Sequence, residues 1–216
     1  IYPCALLKSA PLFDIWRKGS YRPYTEKQLI DLVRAIKKNI PRYVRIQRIA
    51  RDIPSKSIIA GPAKISNLRQ LVGGYCKCIR CREVKENYDP KEKLQLFRQD
   101  YKASGGKEIF MSFENKKRTK LYSLLRLRLI GMPAQSAMIR EVHTYGQLRP
   151  IGRGPTSTNS PQHKGLGRKL IEEAEKITKK EFKVKKIAVI SGVGVRGYYR
   201  KLGYLLENTY MVKNLG

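Results

Sequence analysis

The chain has 216 residues, of which 46 are Lys or Arg and 17 are Asp or Glu, so its formal net charge is +29. With 41% apolar residues the composition excludes a disordered chain, and the length suffices for one or two domains with a buried core. The excess of positive charge indicates a polyanionic partner, and nucleic acid is the first candidate. The alternative is a lysine-rich surface that water alone solvates.

The sequence also predicts the compartment. No apolar run approaches the roughly 20 residues of a membrane span, so we expect a soluble chain. Three of the four cysteines fall in CKCIRC, unlike a secreted disulfide framework, which predicts a reducing, cytoplasmic setting. The first residue is Ile and the opening segment lacks a signal-peptide pattern, so we expect the rear part of a longer protein.

The N-terminal third is predicted to be helical and basic. Thr25 begins an amphipathic helix as its N-cap, Gln28 completes a capping box, and Pro41 ends the helix. Residues 43–54 predict a strand leading into a loop, and 63–72 predict a short helix. Basic residues of this region, interleaved with aromatic and apolar positions, are suited to follow an RNA backbone, or else form a solvated face: Arg42, Arg45, Arg48, Arg51 and Lys56.

Cys76, Cys78 and Cys81 follow with the spacing C-x-C-x-x-C. This spacing places three thiols in one tight turn, which suits a tetrahedral zinc site. The fourth ligand stays open, either Cys4 or a residue outside the chain, and free structural thiols are the alternative. The next segment is polar and turn-rich, so we expect three parts: 1–75, 76–90 and 91–216.

The C-terminal part predicts an α/β fold. In chain order its elements are strands at 108–115, 119–130 and from 137, a helix from 166, a strand within 185–192, a short helix ended by Gly203, and one strand within 204–212. The first two strands are joined by a charged turn as a hairpin. This order favours a mostly antiparallel sheet flanked by helices and excludes a doubly wound one.

The stretch PQHKGLGRKL stands where the longer of these helices begins and contains Q-x-x-G-x-G at Gln162, Gly165 and Gly167. The first turn of a helix has unpaired N–H groups and carries about half a positive charge, and glycine lets a phosphate approach the backbone. The G-x-G-x-x-G of a dinucleotide fingerprint is absent. Coenzyme A pyrophosphate is therefore the better candidate for this site.

This motif, with IREVHTYG before it and VISGVGVRGYYRKLGY after it, resembles the GNAT acyltransferase superfamily. The longer pattern is similar to the Elongator catalytic-subunit family of tRNA-modifying acetyl-CoA enzymes, and LFDIWRKGSYRPYTEKQLIDLV and RIARDIPSKSIIAGPAKISNLRQLV agree with it. The resemblance covers nearly the whole chain. It implies a GNAT acyltransferase domain at 91–216, preceded by a smaller region: the C-terminal part of a radical-SAM region with a helical linker at 1–75, and a zinc-binding linker at 76–90.

The resemblance also implies roles for individual positions. An added strand formed by the pantetheine arm would lie along the backbone of Glu141, Val142, His143 and Thr144. The pyrophosphate would be bound by the motif residues Gln162 and Gly165 and by the N–H groups of Leu166, Gly167, Arg168 and Lys169. Tyr199 is the implied proton donor to the departing thiolate, with Tyr198 beside it as the second candidate. Glu141 shares a strand face with His143 and is a candidate general base, and structural roles are the alternative for all of these side chains.

The implied function is the acetyl-CoA-dependent formation of 5-carboxymethyluridine at the wobble position of tRNA, which would bind through its anticodon stem-loop. Zn²⁺ would belong to the cysteine linker, and accessory Elongator-type subunits or a homodimer are possible partners. The chain lacks C-x-x-x-C-x-x-C, so S-adenosylmethionine and a [4Fe–4S] cluster would belong to an N-terminal half outside it. Two alternatives are a protein lysine acetyltransferase, which the basic charge disfavours, and a non-catalytic RNA-binding module, in which Tyr199 or the glycine motif should be lost.

Overall fold

Two units make up the described chain, Ile1–Arg82 and Glu83–Gly216. The computed structural model describes residues 1–49, 53–62, 65, 67–85, 89, 91–131, 134–146 and 165–216. No helix in these residues is both long enough and apolar enough to cross a membrane. The division into 1–75, 76–90 and 91–216 stays a prediction.

The first unit consists of short elements around one longer helix. Its elements are β1 (Leu6–Leu7), α1 (Leu12–Arg17), α2 (Glu26–Asn39), a 3₁₀ turn (Ser55–Ser57), β2 (Ile58–Ala60), α3 (Leu68–Val72) and α4 (Ile79–Arg82). The predicted capping box is confirmed, because Thr25 and Gln28 each accept a hydrogen bond from the other's backbone N–H. The helix predicted within 63–72 is described as the shorter α3.

The strand predicted within 43–54 is wrong for the residues that the structure describes there. Residues 44–48 form no ladder, and their carbonyls accept isolated hydrogen bonds instead. The Ile79 N–H donates to the Val44 oxygen at 2.9 Å, Arg69 donates to the Ile46 oxygen at 2.7 Å, and Arg80 donates to the Gln47 oxygen. Ile46 is buried in the core of this unit, which also contains Cys78. The alternation in this segment therefore reflects the inward side chains of Ile46 and Ile49 beside the exposed Arg45 and Arg48, not a sheet face.

A seven-stranded sheet forms the second unit. The elements are β3 (Leu94–Ala103), β4 (Gly106–Asn115), β5 (Leu121–Ile130), β6 (Ser136–Thr144), α5 (Leu166–Lys180), β7 (Lys186–Val189), a 3₁₀ turn (Val193–Val195), α6 (Arg196–Lys201), β8 (Leu205–Glu207) and β9 (Tyr210–Asn214). The strand order is β3-β4-β5-β6-β7-β9-β8, and every neighbouring pair is antiparallel except β6 and β7. The predicted fold class, a mixed and mostly antiparallel sheet flanked by helices, is confirmed.

Two strand predictions for this unit need correction. The sequence interpretation overlooked β3, an edge strand whose side chains are mostly exposed or half-buried and whose apolar residues are interrupted by charges. The single final strand is instead the hairpin β8–β9, which turns through Asn208 in the left-handed region at φ 55°. Asn tolerates that backbone conformation, so it permits a tight turn inside an otherwise apolar run.

The helix α5 covers one face of this sheet. Its side chains Leu170, Ile171, Ala174 and Ile177 pack into one core with Ile109 of β4 and with Leu125 and Leu127 of β5. The opposite face of β4 to β6 carries charged residues, among them the cross-strand pair Arg126 and Glu141. The sheet therefore has an apolar side against α5 and a polar side.

Candidate active site and metal centre

The strands β6 and β7 separate after a short parallel stretch. They pair only at Ala137–Ile139 of β6, continued by one hydrogen bond from the Ile190 N–H to the Ile139 oxygen at 3.3 Å. On its other edge β6 stays paired with β5 as far as Thr144. Within the described ranges no strand pairs with the second edge of residues 141–144, so the two strands form an open fork. An extended ligand can bind such an edge by adding a strand to it.

The first turn of α5 lies against this fork. Gly165 is the N-cap in the left-handed region at φ 74°, and no side chain caps the helix there. A Cβ on Gly167 would lie 3.6 Å from Thr144 Oγ1, 3.7 Å from Val142 Cγ1 and 3.8 Å from the Tyr198 hydroxyl oxygen. The first three N–H groups of the helix, those of Leu166, Gly167 and Arg168, precede the first intrahelical acceptor and are available to an anion at the fork. The Lys169 N–H already donates to the Gly165 carbonyl oxygen at 2.9 Å, so it differs from the predicted set of four free donors.

Tyr198 and Tyr199 lie on α6 with their rings 5.3 Å apart in an edge-on arrangement. Tyr199 is only 7% exposed and Tyr198 is 40% exposed. Burial raises the pKa of Tyr199 to about 12, with a smaller contribution from Tyr198. Burial also raises the pKa of Tyr198, and the positive charge of Arg168 acts in the opposite direction. Tyr198 is thus the more exposed of the two and the one beside Gly167, while Tyr199 faces the core.

The side chains of Glu141 and His143 lie on the polar face of the sheet, opposite the core and α5. Glu141 Oε2 accepts a hydrogen bond from Arg126 Nε at 2.8 Å, and Arg126 also donates to the Tyr101 hydroxyl at 3.2 Å. Burial opposes the charge of Arg126, but the bond to Glu141 raises its pKa on balance. At the fork, Glu141 and His143 therefore present backbone groups, while the side chain of Val142 packs against the core on the helix side.

The sulfurs of Cys76, Cys78 and Cys81 lie within 4.8 Å of one another. In a tetrahedral site with Zn–S bonds of about 2.3 Å the sulfurs are about 3.8 Å apart, so small rotations would bring all three to zinc. No other described cluster of His, Cys, Asp and Glu has this convergence, and Cys4 lies outside it. The donor set therefore fits a thiophilic metal with a fourth position open.

The surroundings of these thiols differ. Burial raises the pKa of Cys76 to about 12. Burial acts in the same direction on Cys78, but the backbone N–H groups of Ile46 and Cys81 outweigh it, so the pKa of Cys78 is lowered. Arg69 NH1 lies 3.8 Å from the Cys81 sulfur. Backbone donors therefore stabilise the thiolate of Cys78, the form that binds a metal.

Among the arginines predicted for RNA binding, Arg42 has a partner within its own unit. Arg42 donates to the Tyr75 hydroxyl at 3.2 Å, and Arg45 and Arg48 are exposed side chains that also make interactions of their own. Lys56 is exposed in the 3₁₀ turn. Arg51 and Gln162 lie outside the described residues, so the roles assigned to both stay predictions.

Two side chains that bond to other residues of the second unit were missed by the sequence interpretation. Arg126, which holds Glu141, comes from a neighbouring strand, and Glu175 of α5 bonds to Tyr204 beyond α6. No local motif marks these residues. Only the alternation of β5, which places Arg126 among apolar residues, could have drawn attention to one of them.

Comparisons with known proteins cover the whole chain. The Radical_SAM C-terminal domain family matches residues 1–77. The tRNA uridine(34) acetyltransferase of Methanocaldococcus jannaschii is 44% identical over 100% of this chain and 43% of its own length. Elongator complex protein 3 of Schizosaccharomyces pombe is 40% identical over 99% of this chain and 42% of its own length. The chain thus spans less than half the length of these relatives.

A solved structure agrees with these sequence relatives. The archaeal Methanocaldococcus infernus Elp3 with an N-terminal deletion (1–46) is 42% identical and superimposes with a TM-score of 0.83. The match covers 99% of this chain and 54% of that one. Both units of the chain are therefore included in the structural similarity.

Proposed function

Because the chain belongs to the family of Elongator complex protein 3 and the tRNA uridine(34) acetyltransferases, we propose that it serves acetyl-CoA-dependent modification of the wobble uridine of tRNA. The product we expect is 5-carboxymethyluridine. The 216 residues lack a C-x-x-x-C-x-x-C motif, so the proposal limits them to acetyl-CoA binding, thioester cleavage and contacts with tRNA. The radical step, with S-adenosylmethionine and a [4Fe–4S] cluster, is assigned to residues outside this sequence.

One observation carries the proposal: Val142, Thr144 and the Tyr198 hydroxyl converge on Gly167 at the fork. Along the open edge of residues 141–144, backbone groups bind the pantetheine arm as an added strand. At the start of α5, the N–H groups of Leu166, Gly167 and Arg168 bind the pyrophosphate, and the helix dipole favours its negative charge. The side chains of Arg168 and Lys169 are exposed in this first turn and add positive charge.

Acetyl-CoA, when bound, supplies an acetyl thioester. Tyr199 donates a proton to the sulfur as the carbon–sulfur bond breaks, and its pKa of about 12 keeps the phenol protonated at neutral pH. Tyr198 is the second candidate for this donor. Glu141, oriented by Arg126, accepts the proton of the water or other group that attacks the acetyl carbon.

The first unit has two assigned roles in this proposal. Zn²⁺ binds Cys76, Cys78 and Cys81 and holds the turn that leads into α4. The basic residues assigned to the anticodon stem-loop are Arg42, Arg45, Arg48, Arg51 and Lys56. A polyanion also relieves the repulsion among the +29 net charges of the chain.

The test is acetyl-CoA turnover, measured as free thiol, with and without tRNA. Tyr199→Phe should lower kcat by about 100-fold, since positioned acids contribute about 10²–10⁴ in rate, and should leave the Kd for acetyl-CoA within about threefold. Tyr210→Phe, at an exposed tyrosine on β9, is the matched control and should keep the activity. Turnover that responds neither to tRNA nor to Tyr199→Phe would refute the assignment.

A further inference from the structure

Three side chains from separate elements of the second unit form one polar group, called the tyrosine brace below: Tyr204, Glu175 and Lys213. The Tyr204 hydroxyl donates to Glu175 Oε1 at 2.9 Å, and Lys213 Nζ donates to Glu175 Oε2 at 2.8 Å. The Lys213 ammonium also lies 5.5 Å from the Tyr204 ring centroid. The brace thus joins α5 to β9 through Tyr204, which lies between α6 and β8.

The brace is well protected from water. Tyr204 is fully buried, and the side chains of Glu175 and Lys213 are 15% and 27% exposed. A partly buried carboxylate with both oxygens bonded is held more firmly than a surface ion pair. Phenylalanine at position 204 would fill the same apolar site, so packing alone does not account for the hydroxyl. A buried hydroxyl that reaches the carboxylate of an ion pair fixes the direction of its ring.

The ring of Tyr204 is in contact with Tyr199. The two ring centroids lie 5.7 Å apart at an interplanar angle of 71°, an edge-on arrangement. The backbone N–H of Tyr204 also donates to the backbone carbonyl oxygen of Tyr199 at 3.1 Å. The helix α6 has only six residues and no side-chain cap at its N-terminus, so it is not stable by itself. The orientation of Tyr199 is therefore set by what α6 packs against, and Tyr204 is a principal part of that surface.

The two buried phenols differ in what becomes of their protons. Burial raises the pKa of Tyr204 and the charge of Glu175 raises it further, so its proton stays in the bond to that carboxylate. For Tyr199, burial raises the pKa and the neighbouring Tyr198 adds a smaller contribution. The brace therefore occupies the hydroxyl of one tyrosine and leaves that of its neighbour available for transfer.

We propose that the tyrosine brace consists of positioning residues for Tyr199, which act through the ring contact and not on the substrate. The inference rests on the proposed function, in which Tyr199 protonates the departing sulfur. It adds that the hydroxyl of Tyr204, and not only its ring, determines how well Tyr199 is placed. Glu175 and Lys213 act one step further back, by fixing that hydroxyl.

The first experiment does not depend on catalysis. Ring-¹³C-labelled tyrosine is incorporated into the full chain, and the Tyr199 signal is identified by its loss in Tyr199→Phe. In Tyr204→Phe and Glu175→Gln the Tyr199 signal should shift and broaden, whereas in the control Tyr210→Phe it should stay in place. An unchanged Tyr199 signal in both brace variants would overturn the inference whatever the enzyme does.

The second experiment measures acetyl-CoA cleavage. Tyr204→Phe should lower kcat about tenfold with KM for acetyl-CoA within about twofold, because binding groups are unchanged. The double variant Tyr199→Phe/Tyr204→Phe should be no slower than Tyr199→Phe alone, since the brace acts only through Tyr199. Additive losses, or a change confined to KM, would show a general structural role and contradict the inference.

The two experiments separate the possible failures. If Tyr199→Phe leaves cleavage unchanged while its ring signal responds to the brace, the proposed proton donor is wrong and the positioning of Tyr199 stands. If Tyr199→Phe slows cleavage but Tyr204→Phe changes neither the signal nor kcat, the proposed function stands and the brace inference is overturned.

Discussion

The two units use their positive side chains differently. In the first unit Arg34, Lys37, Arg69, Arg80 and Arg82 donate to backbone carbonyls. In the second, cations bond mainly to carboxylates, as in the pairs Arg98–Glu181, Arg126–Glu141 and Lys213–Glu175.

The difference follows from backbone pairing. Strand ladders satisfy the carbonyls of the second unit, so its cations are available to acidic side chains. The first unit has irregular backbone around its cysteines, where arginine supplies the missing donors. Some of the N–H donors of these cations in the first unit are therefore already bonded to its own backbone, which limits the hydrogen bonds that they can offer to RNA.

The largest expected effect is a loss of stability that is confined to the first unit. Cys78→Ser removes a fully buried ligand, so bound zinc should be lost together with at least about 3 kcal/mol of stability, because metal binding and folding are coupled in such sites. Metal content by mass spectrometry and hydrogen exchange by segment would measure both. Exchange should rise in Ile1–Arg82 and stay low in β4 and β5. Cys4→Ser is the control that keeps the metal, and full zinc occupancy in Cys78→Ser would contradict the assigned site.

Arg82→Lys tests whether an arginine side chain supplies the hydrogen-bond donors that a neighbouring strand would otherwise supply. Arg82 is 2% exposed and donates from Nε to the Lys77 oxygen and from NH2 to the Arg42 oxygen, each at 2.7 Å. The lysine ammonium cannot bond both carbonyls as the planar guanidinium does. We therefore expect the free energy of unfolding, measured in urea, to fall by about 2–3 kcal/mol. Arg17→Lys, at an exposed position of α1, should cost less than about 0.5 kcal/mol. Equal effects of the two variants would show that the buried guanidinium of Arg82 is not needed.

Gly167→Ala tests the proposed acetyl-CoA site of the second unit without unfolding that unit. The added methyl would lie at ordinary contact distance from Thr144, Val142 and Tyr198, and alanine favours a helix by up to about 1 kcal/mol. Because the methyl occupies the fork, the Kd for acetyl-CoA should rise about tenfold in calorimetry while the melting temperature is kept. Gly197→Ala in α6 meets open space and should bind normally. Unchanged binding in Gly167→Ala would remove the fork from the proposed site.

The smallest effect concerns the charge pairs of the second unit. Arg98 lies between Asp100 and Glu181, at 2.8 and 2.6 Å. Burial opposes the ionisation of Asp100, but Arg98 and Lys107 lower its pKa on balance, and Arg98 lowers the pKa of Glu181. Both pKa values thus lie below the unfolded values of about 4, so their contribution is present above about pH 4 and is lost as the pH falls through the folded values.

Arg98→Met should therefore cost no more than about 1 kcal/mol at pH 7, because these side chains are partly exposed, and almost nothing at pH 2. Urea unfolding at the two pH values would measure the difference. Lys180→Met, at an exposed position in the last turn of α5, is the control without that pH dependence. A deficit for Arg98→Met that is equal at both pH values would assign its role to packing.

Local patterns predicted what local forces determine. The helix α2 with its capping box, the helix α5 and the β4–β5 hairpin follow from signals within about 15 residues, and all three are present. The cysteine spacing likewise predicted a cluster that the fold brings together. The assigned roles of these residues in binding and catalysis stay predictions.

Long-range pairing determined the rest. The edge strand β3 forms by pairing with β4, although its own pattern did not predict a strand. Residues 44–48 were predicted to form a strand, but they have no neighbouring strand among the described residues. The tyrosine brace joins residues 29 and 38 positions apart, a separation at which no periodicity operates. Sequence patterns describe one segment at a time, whereas these features are properties of pairs.

The register of β6 against β5 shifts by one residue, and this shift reverses which face each later side chain occupies. Ile139 pairs with Leu127 but Glu141 pairs with Arg126, so Arg140 is an extra residue in the strand. A regular ladder that kept Arg140 in register would instead pair Arg140 with Arg126, and it would turn Glu141 and His143 towards the apolar core, with Val142 on the polar side. Comparison of this strand among relatives thus depends on where a one-residue gap is placed. A gap set two positions later would align the polar-face residue Glu141 with a core-facing position.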